Sequence, residues 1–193
     1  MPLLKRAPLV IAVAIFAVVV AVGFSAVNAP PAETALSTVK TCSDGTIELN
    51  SSEKQTLLLH NRARADRGLP RLCVDPKLTK AARAHSQEIL DRDYFFHDSH
   101  NGETSGERLE RFGYTSRGYS YYTVGENIAW GNGPSGSPGS IFESWMNSSG
   151  HKANILNKDF RQIGIGARMG AFDYNGDTYE GTTMYTVDFG TRR

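Results

Sequence analysis

The feature that most constrains this chain is a change of hydrophobic period near residue 160. Upstream, apolar residues recur mainly at helical spacing. Downstream, Gln162-Ile163-Gly164-Ile165-Gly166-Ala167-Arg168-Met169 and Thr182-Thr183-Met184-Tyr185-Thr186-Val187-Asp188-Phe189 read as strands joined around Asn175-Gly176, a strong hairpin signal. Both helices and strands are therefore expected. Gly164 and Gly166 mark a strand onto which another element packs closely. Asp173-Tyr174-Asn175-Gly176-Asp177 has the look of a calcium loop, but Thr178 stands where glycine is needed and Met184 where glutamate is needed, so an EF-hand is excluded.

The helices are delimited by their caps. Ser52-Glu53-Lys54-Gln55 has the capping-box form, and Gly68 with Pro70 ends the segment, predicting a helix over 52–67. Asp75-Pro76 opens a second, with Leu78, Ala81, Ala82, His85, Ile89 and Leu90 on one face and Tyr94-Phe95-Phe96 at its end. His60 and His85 lie on or beside buried stripes, His60 partly covered, and both are read as structural. Thr104-Ser105-Gly106-Glu107 is a further capping box, and Ser137-Pro138 starts a helix through Ile141, Phe142 and Trp145. Tyr114–Tyr122, rich in Tyr, Ser and Gly, reads as a loop that lies on the domain and lines a groove at most.

The N-terminus stands apart. Lys5 and Arg6 precede an uncharged run from Leu9 to Phe24, followed by small residues to Ala29. As a helix the run reaches about 24 Å, short of a hydrocarbon core of about 30 Å unless extended to Val27. Residues 1–29 thus read as an export signal, with a retained membrane anchor over 9–27 as the alternative, and either places the remainder outside, secreted or anchored. Residues 30–41 read as a linker, and 42–193 as one domain. Without residues 1–29 the chain has 19 basic and 20 acidic side chains, a near-neutral balance with no basic run, which gives no reason to expect nucleic acid. Membrane contact is expected only through the N-terminal segment. The two cysteines, Cys42 and Cys73, are expected to form a disulfide, worth about 3–4 kcal/mol in the chain-entropy model.

Three segments are expected to converge on one cavity. Ser148-Ser149-Gly150-His151 places His151 on a bend between a helix and a short apolar turn. His97 leaves the aromatic run for a loop, where structural and site roles are equally open. Gly125-Glu126-Asn127-Ile128-Ala129 carries an acidic residue among apolar and glycine neighbours, which must find a cation, a donor or a proton if buried.

Phe96-His97-Asp98-Ser99, Gly125-Glu126-Asn127-Ile128-Ala129, Trp145–Leu156 and Tyr185-Thr186-Val187-Asp188-Phe189-Gly190, in that order, resemble the CAP superfamily (cysteine-rich secretory proteins, antigen 5 and pathogenesis-related class 1 proteins), most of all its bacterial branch. The resemblance implies an α+β fold, a three-layer α-β-α sandwich with a small, mostly antiparallel central sheet. It also implies a cavity marked by two histidines, His97 and His151, and by Glu126. The family's second glutamate falls at Ser148, a departure, so that carboxylate is absent or comes from elsewhere, with Asp98 as the candidate.

Three readings follow. A secreted binding module would take a lipid, sterol or peptide, or a divalent metal, in the His97–Glu126–His151 cavity. A metal-dependent hydrolase would use His97 and His151, with Glu126, as zinc-type ligands, or Glu126 as its catalytic carboxylate. Against the hydrolase, no His-Glu-x-x-His pattern, paired nucleophile or oxyanion-hole motif is found. A purely structural network of His97, Glu126 and His151, with function in the Tyr-rich segment or in the linker, is the third.

Overall fold

The computed structural model describes residues 36–193, so the export-signal or anchor segment and residues 30–35 lie outside the described residues. The end of the expected linker is not a linker. Ser37–Lys40 is strand β1 and pairs antiparallel with β2, Thr46–Leu49. Folded structure therefore begins before Cys42. The Cys42–Cys73 disulfide, with Cα atoms 5.2 Å apart, ties this hairpin to the short strand β3, Cys73–Val74.

Helix α1 spans Ser51–Ala65, and its capping box lies two residues earlier than expected. Asn50 Oδ1 accepts from the Glu53 amide at 2.8 Å, and Glu53 Oε2 accepts from the Asn50 amide at 3.1 Å. The shift has a tertiary reason. Glu53 is fully buried and also receives Arg83 from helix α2, Pro76–Arg92, and Arg168 from strand β5, Gln162–Tyr174. One carboxylate thus caps a helix and neutralises two arginines. Helix α2 starts as expected, with Asp75 Oδ1 accepting from the Lys77 amide at 2.8 Å, but it stops at Arg92 because Asp93 adopts a left-handed conformation with φ 52°. The aromatic run Tyr94–Phe96 lies beyond the helix, in the following loop.

Helix α3 is Ser105–Arg111, capped by Thr104 and Glu107. Strand β4, Tyr122–Asn132, leads through a 3-10 turn into α4, Pro138–Asn147, and α5, Ser149–Ile155. Strand β5 and strand β6, Asp177–Arg192, form a long hairpin whose turn residues Asn175 and Gly176 have φ of 54° and 91°, the positive angles a two-residue turn of this twist requires.

The main sheet has the order β3-β5-β6-β4, antiparallel except for β3 against β5. Strand alternation sends Ile163, Ile165, Val187 and Phe189 to one face, where Ile141 and Trp145 of α4 and Ile155 of α5 complete a core beneath α1. His60 of α1 lies inside that core, fully buried where partial cover was expected. Burial, partly offset by its hydrogen bond to the Thr56 carbonyl, lowers its pKa to about 4.

The opposite face carries Gly164, Gly166, Thr186 and Asp188, and α2 lies directly on it. A Cβ on either glycine would come within 3.0 Å of α2 backbone, at Leu78 and Thr79 or at Ala82 and Arg83. Ser86 of α2 donates to Thr186 Oγ1 at 2.9 Å through the gap this leaves. The architecture is the three-layer sandwich expected, with α2 and α3 on one face and α1, α4 and α5 on the other.

Candidate functional site

Strand β4 forms one edge of the sheet, and its alternation splits two neighbours to opposite faces: Glu126 turns toward α2 and α3, and Asn127 toward α5. Asn127 Nδ2 donates to the His151 carbonyl at 3.0 Å. Asn154 Nδ2 donates to the Glu126 carbonyl at 3.1 Å and to Asn127 Oδ1 at 2.9 Å. These bonds pin α5 along the edge. His151 sits in the first turn of α5 and not on a bend, because the chain resumes a helix directly after Ser148.

The loop after α2 brings His97 to the same edge. His97 Nδ1 lies 2.8 Å from Glu126 Oε1, and Glu126 Oε2 is paired with Arg108 Nη2 of α3. Arg108 is fully buried and also donates through Nη1 to the His97 carbonyl at 3.0 Å and to Ser99 Oγ at 3.1 Å. One guanidinium therefore holds both the carboxylate and the loop that carries the histidine.

The electrostatics follow. The hydrogen bond that His97 donates to Glu126 raises the His97 pKa against the opposing effect of partial burial. Burial would raise that of Glu126, but the bond from His97 and the charge of Arg108 outweigh it and hold Glu126 below the usual carboxylate range. His85, fully buried with Nε2 3.1 Å from the Phe96 carbonyl, is lowered by burial and then by Arg108. His151 is lowered by burial and then by the charge of His97, so the two histidines sense each other, although neither lines a cavity among those described below. Ser148, at the position of the family's second glutamate, has its Oγ 2.9 Å from His151 Nδ1. Among the described residues this hydroxyl, and no carboxylate, bonds His151. Asp98 acts on His97 only through its charge, so it does not replace that carboxylate in contact.

Two residues of the cluster were missed. Arg108 carried no signal, since a charged residue between Glu107 and Leu109 on a short helix reads as solvent-facing. Asp188 carried one: an acidic residue inside the apolar run Tyr185–Phe189 raises the same burial problem as Glu126. It is fully buried and directly opposite Glu126 in the sheet register, and among the described residues no donor reaches either carboxyl oxygen, so a proton on Asp188 is what would let it bond the facing Glu126 carboxylate. Burial, followed by the Glu126 charge, pushes its pKa well above the ordinary value. A raised pKa means that the folded chain holds this proton more tightly than the unfolded one. The stability it contributes is complete below the ordinary Asp value and is lost as pH rises toward the raised one, by about 1.4 kcal/mol per pH unit within that window. In Asp188→Asn this slope is expected to flatten. Urea midpoints of parent and variant at pH 5 and pH 8 measure it, and equal slopes would show that another group titrates.

Both Glu126 oxygens and the Nδ1 atoms of His97 and His151 are engaged, which leaves Nε2 of each ring as the nitrogen that could take a ligand, and among the described residues no group of three His, Cys, Asp or Glu side chains is placed to hold a metal ion. Among the cavities of the described residues, two bear on these segments. One of about 340 Å³ adjoins His97 and is lined by Tyr94, Phe96, Asp98, Ser99, His100 and Gly102. The other, of about 400 Å³, is polar and includes Asp75, Lys77, Arg192 and Tyr119, so the Tyr-rich segment does line a groove.

The sequence model of the cysteine-rich secretory protein family, CAP, matches residues 57–189. The chain belongs to this family. The CAP domain is 40% identical over 118 residues to the uncharacterized protein YkwD of Bacillus subtilis strain 168, covering 61% of this chain and 43% of that protein. It is 35% identical over 118 residues to the uncharacterized membrane protein YlbC of the same organism, covering 60% and 31%. Among solved structures, an extracellular SCP-domain protein of Bacillus anthracis superposes with a TM-score of 0.57 at 27% identity, covering 76% of this chain and 46% of that one. An outer surface protein of Borrelia burgdorferi superposes with a TM-score of 0.57 at 19% identity, covering 82% and 100%, and supports the fold alone. The chain spans less than half the length of both Bacillus subtilis relatives and of the Bacillus anthracis protein. Among the described residues of the CAP domain, no helix is long and apolar enough to cross a membrane.

Proposed function

We propose that this CAP domain acts outside the cytoplasmic membrane as a binding module and not as a catalyst. The observation that carries the reading is the commitment of Glu126. Its two oxygens are occupied by His97 and Arg108, its pKa is depressed, and the side chain is buried, so it is neither a poised general base nor an open metal ligand. What the cluster does accomplish is to hold the 94–102 loop rigid beside a cavity with two aromatic walls. Preorganising a loop is how a binding surface avoids the entropic cost of ordering itself. An oxidising location is supported by the disulfide, by the apolar run that follows Lys5 and Arg6, and by the extracellular description of the similar Bacillus anthracis protein.

The test separates binding from turnover. The purified protein is exposed to palmitate, to cholesterol sulfate and to a short-peptide mixture, with and without added zinc. Amide shifts in the 94–102 loop report binding, and mass spectrometry reports product. Saturable shifts without product are expected. Product formation that disappears in His151→Ala would replace this reading with the hydrolase.

A further inference from the structure

The cavity beside His97 has a chemical character of its own. Phe96 is 71% exposed, a large aromatic side chain left in water at the cavity wall, and Tyr94 and His100 stand edge to face beside it with ring centroids 5.6 Å apart. The loop is closed by the Ser99 amide donating to the Glu103 carbonyl and the Gly102 amide donating to the Ser99 carbonyl, both at 2.8 Å. Together with Arg108 below, these bonds hold Phe96 out in water and prevent its collapse onto the core.

The charges around it are unevenly satisfied. Glu103 is clamped by Arg111 through two bonds of 2.7 Å, and Glu126 is paired with Arg108. Among the described residues, Glu88 is bonded by neutral donors, the Tyr94 hydroxyl at 3.0 Å, the His100 amide at 3.3 Å and the Ser99 hydroxyl. The nearest basic group to Glu88, His85 at 3.6 Å, has its charged form disfavoured by burial. Asp98, on the cavity wall, has no hydrogen bond or ion pair among the described residues. Glu88 and Asp98 are thus carboxylates without an arginine or lysine partner among the described residues.

We infer that this cavity receives a basic side chain, lysine or arginine, from a partner polypeptide, its apolar stem lying on Phe96 and Tyr94 and its cation facing Asp98. The inference rests on the binding reading above and gives that surface a ligand class. An aromatic face beside an unpaired carboxylate suits an organic cation with an apolar stem. A hard metal ion would need several more oxygen ligands than Asp98 and its neighbours offer. Both contacts are solvent-exposed, so a single side chain is expected to bind only at about millimolar strength, with affinity in the full complex coming from neighbouring residues of the partner.

The experiment is an NMR titration of the protein with the capped tripeptides Ac-Ala-Lys-Ala-NH2, Ac-Ala-Arg-Ala-NH2 and Ac-Ala-norleucine-Ala-NH2. Saturable shifts at the 96–102 amides are expected with the first two. Binding should weaken about fivefold or more for the norleucine peptide, and by a similar factor in Asp98→Asn and in Phe96→Ala with melting temperatures unchanged. Equal saturation by norleucine would overturn the cation inference and leave the binding reading standing. No saturable shift from the basic peptides at about 20 mM would also overturn it, while the lipid and sterol arms above would still decide the broader reading. Cleavage of the peptides would instead sink the binding reading itself.

Discussion

Gly164→Ala is expected to cost upwards of about 4 kcal/mol, a large share of the roughly 5–15 kcal/mol that holds an ordinary domain folded. The added Cβ would come closer than 3.0 Å to the backbone of Leu78 and Thr79, and neither the strand nor the helix can rotate a backbone atom away. Helix α2 would have to lift from the sheet. With it would go the burial of Leu78, Ala81, Ala82 and Ile89, and the support under the 94–102 loop. Gly139→Ala is the matched control. It lies in α4 with nothing within 4 Å of an added Cβ, so the same substitution should stabilise by about 0.5–1 kcal/mol through helix propensity. Urea unfolding of both variants measures the contrast. A Gly164→Ala protein within about 1 kcal/mol of the parent would mean that α2 does not lie against β5 as described.

Arg108→Met is expected to cost about 3–5 kcal/mol, because it strands Glu126 as a buried carboxylate with Asp188 opposite it in the sheet. The compensating variant distinguishes a charge effect from lost packing. Glu126→Gln in the Arg108→Met background removes the stranded charge and should recover a substantial part of the loss, whereas simple loss of packing would not be recovered. His97 supplies an independent readout. Its pKa is raised chiefly by Glu126, so in the double variant it should fall back toward the ordinary histidine value, followed by NMR of the imidazole protons across pH. Stability from the His97–Glu126 bond is present below that ordinary value and is lost as pH rises through the raised one, so the parent should lose more stability than the double variant as pH rises above the ordinary histidine value. An unshifted His97 titration would show that Glu126 does not control it.

Local chemistry made much of this protein legible. Asp75-Pro76, Thr104-Ser105-Gly106-Glu107 and Ser137-Pro138 begin helices where their capping groups stand, because a cap is a bond between residues two or three apart. Asn175-Gly176 makes the hairpin because those residues tolerate positive φ. The acidic anomaly at Glu126 and the loop position of His97 pointed to one place, and the two side chains do meet there. Where local signals competed, the reading slipped. Ser52 looked like a helix cap, but Asn50 took the role because Glu53 is drawn inward by Arg83 and Arg168, which come from 30 and 115 residues away. The end of the expected linker became a strand only because β2 and the disulfide lie beside it.

The succession of helices and strands, the hairpin, the cysteine pair, the glycines that admit a close neighbour, and the family all rest on short-range patterns or on motifs in order. That Arg108 sits beneath His97, that Asp188 stands opposite Glu126, and that Ser148 faces His151 emerges only once the elements are packed. A buried charge is defined by its partners. Those partners are chosen by sheet register and by the docking of α2, α3 and α5 on the sheet, and no window along the chain contains them together.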